Sequence, residues 1–218
     1  MTMRRTFSLM AAAALWLPAA PAAAAPDASQ PPRTSGPLIG VPLPCEDNGT
    51  AGRGEVHGQS CSWSYELAPA DTDPARDFSA YWTQIEIDPG KGMCAHRIVF
   101  GVELEGDARI VSAAPAKGSR GDAAGVTQLV VDGDGAAPVP GTIEQDVSVP
   151  SGRSKVRVDE SSYRYVWTGN SKDKVVIALG VQMSHGRVPP DPETSMSVRT
   201  GSGGGSCSPA IARLVSRV

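Results

Sequence analysis

The sequence has no downstream stretch of about 20 consecutive apolar residues, the length that a helix needs to cross a bilayer. The mature chain is therefore expected to have no membrane span. It has no HExxH pair for zinc and no GxSxG turn for a nucleophilic serine, so the commonest local signatures of a metallopeptidase and an α/β-hydrolase are absent. Histidine is scarce, at three residues, and aromatic residues make up 5%. No internal repeat occurs, and no segment keeps a 3.6-residue apolar period, which argues against a helical fold. Nor is there a run of basic residues. Past Arg5, lysine and arginine stand singly among carboxylates, so nucleic acid and anionic membrane surfaces are unexpected partners.

What is present begins with an export pattern. Arg4 and Arg5 precede an apolar run from Phe7 to Leu17, followed by an Ala/Pro-rich stretch with small residues at a cleavage position after Ala24. Residues 1–24 are read as a signal peptide, and the composition as bacterial. Removing it leaves 18 basic against 23 acidic residues, a net charge of −5. Residues 25–40 are rich in Pro, Ser and Gly and lack periodicity, so a disordered or extended leader is expected there.

From Val41 to about residue 200, short segments with period-two alternation recur between turn signals. In "CSWSYEL" the residues Cys61, Trp63, Tyr65 and Leu67 share one face. In "HRIVFGVELEG" the apolar set is Ile98, Phe100, Val102 and Leu104, with Arg97, Glu103 and Glu105 opposite. "DKVVIALGVQMS" is apolar on both faces from Val175 to Val181, as in a central strand covered on each side. Further strands are expected at 79–88, 108–112, 126–131, 142–149, 155–158, 163–168 and 195–199. The fold class is all-β, an antiparallel β-sandwich of about 8–10 strands in a single disulfide-stapled domain. Residues 201–218 read as a Gly-rich linker and a tail ending in a helical turn or an edge strand.

Four cysteines in an exported chain imply two disulfides, here paired as Cys45 with Cys61 and Cys94 with Cys207; four cysteines allow three connectivities. Cys94 also lies two residues from His96, which raises a thiol–base reading. The oxidising compartment favours the disulfide.

"VVDGDGAAP" offers Asp132 and Asp134 for calcium, but no EF-hand loop follows, and Asp-Gly between strands is a hairpin signal first. His57, His96 and His185 are too scattered for a metal site, and no metal or other cofactor is expected. In "FSAYWTQIEIDPG", Tyr81, Thr83, Ile85 and Ile87 alternate with Trp82, Gln84, Glu86 and Asp88. With the apolar set inward, the second set forms a candidate contact face, an indole beside an amide and two carboxylates, suited to a sugar ring or a protein anchor. The competing reading has Trp82 covered by a loop or the tail, since large aromatics are usually buried.

The functional expectation is a secreted, non-catalytic binding module, extracellular or periplasmic, with a glycan or protein as partner. One alternative is a secreted hydrolase whose site is assembled from loops. Another is a secreted inhibitor or structural envelope protein.

Overall fold

The computed structural model describes residues 29–51, 56–67, 77–116, 124–132, 140–186, 188–202 and 212–217. The expected signal peptide, the cleavage site, Cys207 and Asp134 lie outside them. The described elements are all strands: β1 (Arg33–Ser35), β2 (Leu38–Pro42), β3 (Glu46–Ala51), β4 (Val56–Leu67), β5 (Asp77–Asp88), β6 (Met93–Glu103) and β7 (Arg109–Ala114), then β8 (Ala124–Val131), β9 (Gly141–Ser148), β10 (Gly152–Val158), β11 (Ser162–Ser171), β12 (Val175–His185), β13 (Glu193–Ser202) and β14 (Ala212–Arg217). The ten strands expected from periodicity are all present. Three more, β1, β2 and β3, were not assigned as strands from the sequence, and β14 takes the edge-strand alternative of the two expected for the tail.

The strands form two antiparallel sheets. The larger runs β1-β9-β12-β5-β4-β2, with β3 on β4, β7 on β12 and β8 on β9; the smaller runs β10-β11-β6-β13-β14. The two ends of the larger path are β1 and β2, which are consecutive in the chain and separated only by Gly36 and Pro37. A short link thus bridges opposite edges of one sheet, and the sheet curls towards a barrel. A contact crosses the closure: the Leu38 side chain on β2 lies against Gly141 on β9. Gly36 makes this possible with φ +79° and with the Pro140 carbonyl oxygen 2.8 Å from where a Cβ would sit. Residues 33–40, expected to be leader, are therefore part of the fold. Their backbone groups have partners on β9 and β4, which compensates for the missing periodicity.

Cross-strand register assigns two buried faces to the centre of the larger sheet. Trp63 on β4, Trp82 on β5 and Gly180 on β12 lie in one row, facing the inside of the curled sheet. Tyr81, Ile85, Ile87, Ile177, Leu179 and Val181 point the other way, towards the smaller sheet. The smaller sheet answers with Ile98, Phe100, Val102, Tyr163, Tyr165, Trp167, Met196 and Val198, all at most 3% exposed. The Tyr81 hydroxyl bonds Thr194, and the Tyr163 hydroxyl donates to the Ala114 carbonyl, tying the two sheets together. All eleven residues of β12 are buried, as expected of a strand covered on both sides.

The Cys45–Cys61 disulfide forms as expected, joining the start of β3 to β4. Cys94 is also disulfide-bonded. The tail ends as an edge strand, β14 pairing with β13.

Candidate functional site

The expected contact face on β5 is not a surface. Trp82 and Gln84 are 0% exposed, because the curled sheet closes over the side that a simple sandwich would leave to solvent. The Trp82 ring lies on Gly180 and beside Leu129 of β8, filling the interior. Glu86 is partly buried and pairs with Lys174 at 2.7 Å. Asp88 is exposed, and its Oδ1 accepts from the Gly90 amide at 2.9 Å, holding the turn into β6. The four residues thus share a strand face without forming an accessible platform. What misled the reading is that polar Gln84 and Glu86 give β5 an alternation indistinguishable from a strand with one wet face.

The histidines are held apart, each by a different group. The His57 imidazole Nε2 lies 3.5 Å from Asp47 Oδ2 on the exposed β3–β4 pair. His96 donates from Nδ1 to Asn170 Oδ1 at 2.5 Å, and His185, 5% exposed, donates from Nδ1 to the Gly186 carbonyl at 2.6 Å. With Cys94 disulfide-bonded and His96 turned to Asn170, the thiol–base reading of that pair has no thiol to work with. Among the described residues no group of three or more His, Cys, Asp or Glu side chains is placed to hold a metal.

Chemistry gathers instead on the outward face of the smaller sheet. Alternation turns Tyr163, Tyr165 and Trp167 inward, so Arg164 and Val166 point out; the same rule turns Arg97 and Val99 out on β6, Arg153, Lys155 and Arg157 out on β10, and Ser195, Ser197 and Arg199 out on β13. Register then stacks these positions in rows. One row holds Arg153, Thr168, Arg97 and Arg199; the next Lys155, Val166, Val99 and Ser197; the third Arg157, Arg164, Gly101 and Ser195. Six basic side chains thus share a patch roughly 13 Å along the strands and 15 Å across, from a residue rise of about 3.4 Å and a strand spacing of about 4.8 Å. Beyond the third row, Glu103 and Glu193 form an acidic end.

Two features distinguish this face from an ordinary wet surface. Arg97 stands directly opposite Arg199, and Arg157 directly opposite Arg164, like charges in register that cost roughly 0.2–1 kcal/mol each. The ion pairs among the described residues, Arg33–Asp146, His57–Asp47, Arg109–Glu160 and Lys174–Glu86, include none of the six. The face is also hollowed. A groove of about 480 Å³ is lined by Arg157, Arg164, Glu103, Asp159 and serines 162, 195 and 197, among others. A neighbouring hollow of about 270 Å³ is lined by Arg97, Lys155, Arg157, Arg164 and Val166. The sequence disperses these bases between carboxylates; the pairing of four strands collects them. The grounds for disfavouring anionic partners therefore hold for the sequence order and not for this surface.

No protein-family model matches the chain, and no curated protein matches it. Among solved structures it is similar to one described as a pore-forming protein, with TM-score 0.47 and 7% identity over 83% of this chain and 86% of that one. It is also similar to the KRT10-binding region domain of the pneumococcal serine-rich repeat protein PsrP, with TM-score 0.22 and 8% identity over 86% of this chain and 99% of the other. At such values neither likeness extends to a common function.

Proposed function

We propose that the chain is an exported, disulfide-bonded binding module that engages its partner through the outward face of the smaller sheet. The observation that carries this is the set of six outward bases in adjoining rows, five exposed and Arg97 half-buried, with two like-charge pairs in register and no ion pair to a described carboxylate. Such an arrangement raises the free energy of the unbound protein and lowers it when an anionic group sits between the guanidinium groups. The N-terminal charge-then-apolar pattern supports export, and the disulfides fit an oxidising compartment. A rigid sheet is a suitable mount, since residues on paired strands hold their spacing better than residues on loops.

The test is an array of glycans, acidic peptides, oligonucleotides and lipids, probed with the full chain and with the charge-reversed double variant Arg157→Glu/Arg164→Glu. Binding of at least one class by the parent and its loss in the variant is the expected result. Hits that survive the reversal unchanged would reject the face as the binding surface.

A further inference from the structure

The groove on this face carries two kinds of recognition group, and together they narrow the partner. Resting on the binding-face reading above, we infer that the groove takes an acidic saccharide, a sugar chain bearing carboxylate or sulfate groups. Arg157 and Arg164 offer planar, forked donors that match a carboxylate or sulfate in two-point fashion. In the same groove Glu103 and Asp159 are acceptors only, while Ser162, Ser195 and Ser197 can donate or accept. A ligand satisfying both sets must present anions and hydroxyl donors within a few ångströms of each other. An acidic sugar does so on every ring. A DNA backbone presents phosphates with no hydroxyl donors, and its phosphates would meet Glu103 and Glu193 at the acidic end.

Shape and composition point the same way. The aromatic residues of β11, Tyr163, Tyr165 and Trp167, are each 1% exposed and face the core, so they give this side no stacking platform for the bases of a single strand. Val99 and Val166 lie partly buried in the middle row rather than protruding, as a membrane-inserting surface would require. The hollow containing Arg97, Lys155, Arg157 and Arg164 adjoins the first groove through the shared Arg157 and Arg164, so a short sugar chain can span both. The anions then fall between basic rows rather than in the continuous line that a phosphodiester backbone presents.

The experiment is calorimetric titration of the full chain at low and at physiological ionic strength with four probes. These are tetragalacturonate for carboxylate, a chondroitin sulfate oligosaccharide for sulfate, oligothymidylate, and phosphatidylserine-containing phosphatidylcholine vesicles, with a neutral maltooligosaccharide as control. The expected result is binding of at least one acidic saccharide, weaker at higher salt, with no binding of the neutral one. Arg157→Gln/Arg164→Gln should lower that affinity by about tenfold or more while leaving the thermal midpoint unchanged or higher. Absence of binding to both acidic saccharides, or binding that the double variant retains, overturns the inference. Tighter, variant-sensitive binding of oligothymidylate or vesicles also overturns it, while leaving the binding-face reading standing. If no probe is bound in a variant-sensitive way, the saccharide inference falls, and the wider array with its acidic peptides decides the binding-face reading.

Discussion

Gly180→Ala separates the curled-sheet interior from an open sandwich by the sign of a stability change. Gly180 has no unusual backbone angle that would demand glycine, so on an open face alanine would stabilise by about 0.4–1 kcal/mol through the unfolded chain. In the closed interior the new Cβ would sit 2.5 Å from Trp82 Cε3, 2.9 Å from Cζ3 and 3.1 Å from Leu129 Cδ2. Trp82 is 0% exposed and Leu129 2%, so neither has free space to move into. Overpacking of this kind costs about 1–3 kcal/mol, and after the backbone gain a net loss of about 1–2 kcal/mol is expected. For a chain of this length that lowers the thermal midpoint by roughly 2–8 °C. The assay is urea and thermal unfolding of the parent, Gly180→Ala, Trp82→Leu and the double variant. Because Trp82 and Gly180 are directly paired, the double variant should be less destabilised than the sum of the singles, by about 1 kcal/mol. Gly101→Ala is the control, since its Cβ would meet the Ser195 hydroxyl at 2.9 Å, which can rotate away, and the Tyr163 carbonyl oxygen only at an ordinary contact distance of 3.8 Å. A neutral or stabilising Gly180→Ala, or strict additivity in the cycle, would refute the closed interior.

Three further outcomes follow from the same geometry. Cys45→Ser opens a cross-link of sequence separation 16 and should cost about 3 kcal/mol by loop entropy; an unchanged urea midpoint would contradict a formed disulfide there. All four tyrosines have raised pKa values, principally through burial: Tyr65 and Tyr165 to about 12, Tyr81 upward, and Tyr163 well above the usual phenol value. The contribution of Tyr65 and Tyr165 to stability is complete below pH 10, the unfolded value, and is lost as pH rises from 10 through about 12; a tyrosinate signal from the folded chain with its midpoint near 10 would contradict the burial. Arg157→Gln/Arg164→Gln, which removes one like-charge pair, should raise stability by a few tenths to about 1 kcal/mol at low salt, with the gain shrinking as salt is added. Urea midpoints across ionic strengths read this directly, and a loss of stability would mean that the two arginines are not repelling.

Period-two patterning made most strands legible because each has at least one buried face, and β12 was legible as a central strand because both its faces are apolar from Val175 to Val181. Its neighbour β5 is buried from Phe78 to Ile85, yet Gln84 and Glu86 alternate with Tyr81, Thr83 and Ile85 as they would on a half-wet strand. Trp82 and Gln84 lie inside a curled sheet, the Trp82 ring on Gly180 and beside Leu129 of β8, and the two ends of that sheet, β1 and β2, come from a Pro/Ser/Gly-rich segment with nothing periodic to announce them. Their pairing is fixed by partners more than 20 residues away in β4 and more than 100 away in β9, information that no local window contains.

The same non-locality hid the basic face. The outward directions of Arg97 and Arg164 were readable from their apolar neighbours; that their strands are adjacent, with β10 on one side and β13 on the other, was not. Nothing in sheet formation asks for charge at these positions, since alternation is satisfied by any polar residue pointing out. Two in-register arginine pairs together cost roughly 0.4–2 kcal/mol, small against a domain stability of about 5–15 kcal/mol, so the fold bears them without needing them. An anion seated between the rows removes that repulsion and adds charge-assisted hydrogen bonds. Ligand binding and folding stability should therefore be coupled: saturation with an acidic saccharide raises the thermal midpoint of the parent chain, and raises it less in Arg157→Gln/Arg164→Gln, where both the repulsion and the binding groups are gone.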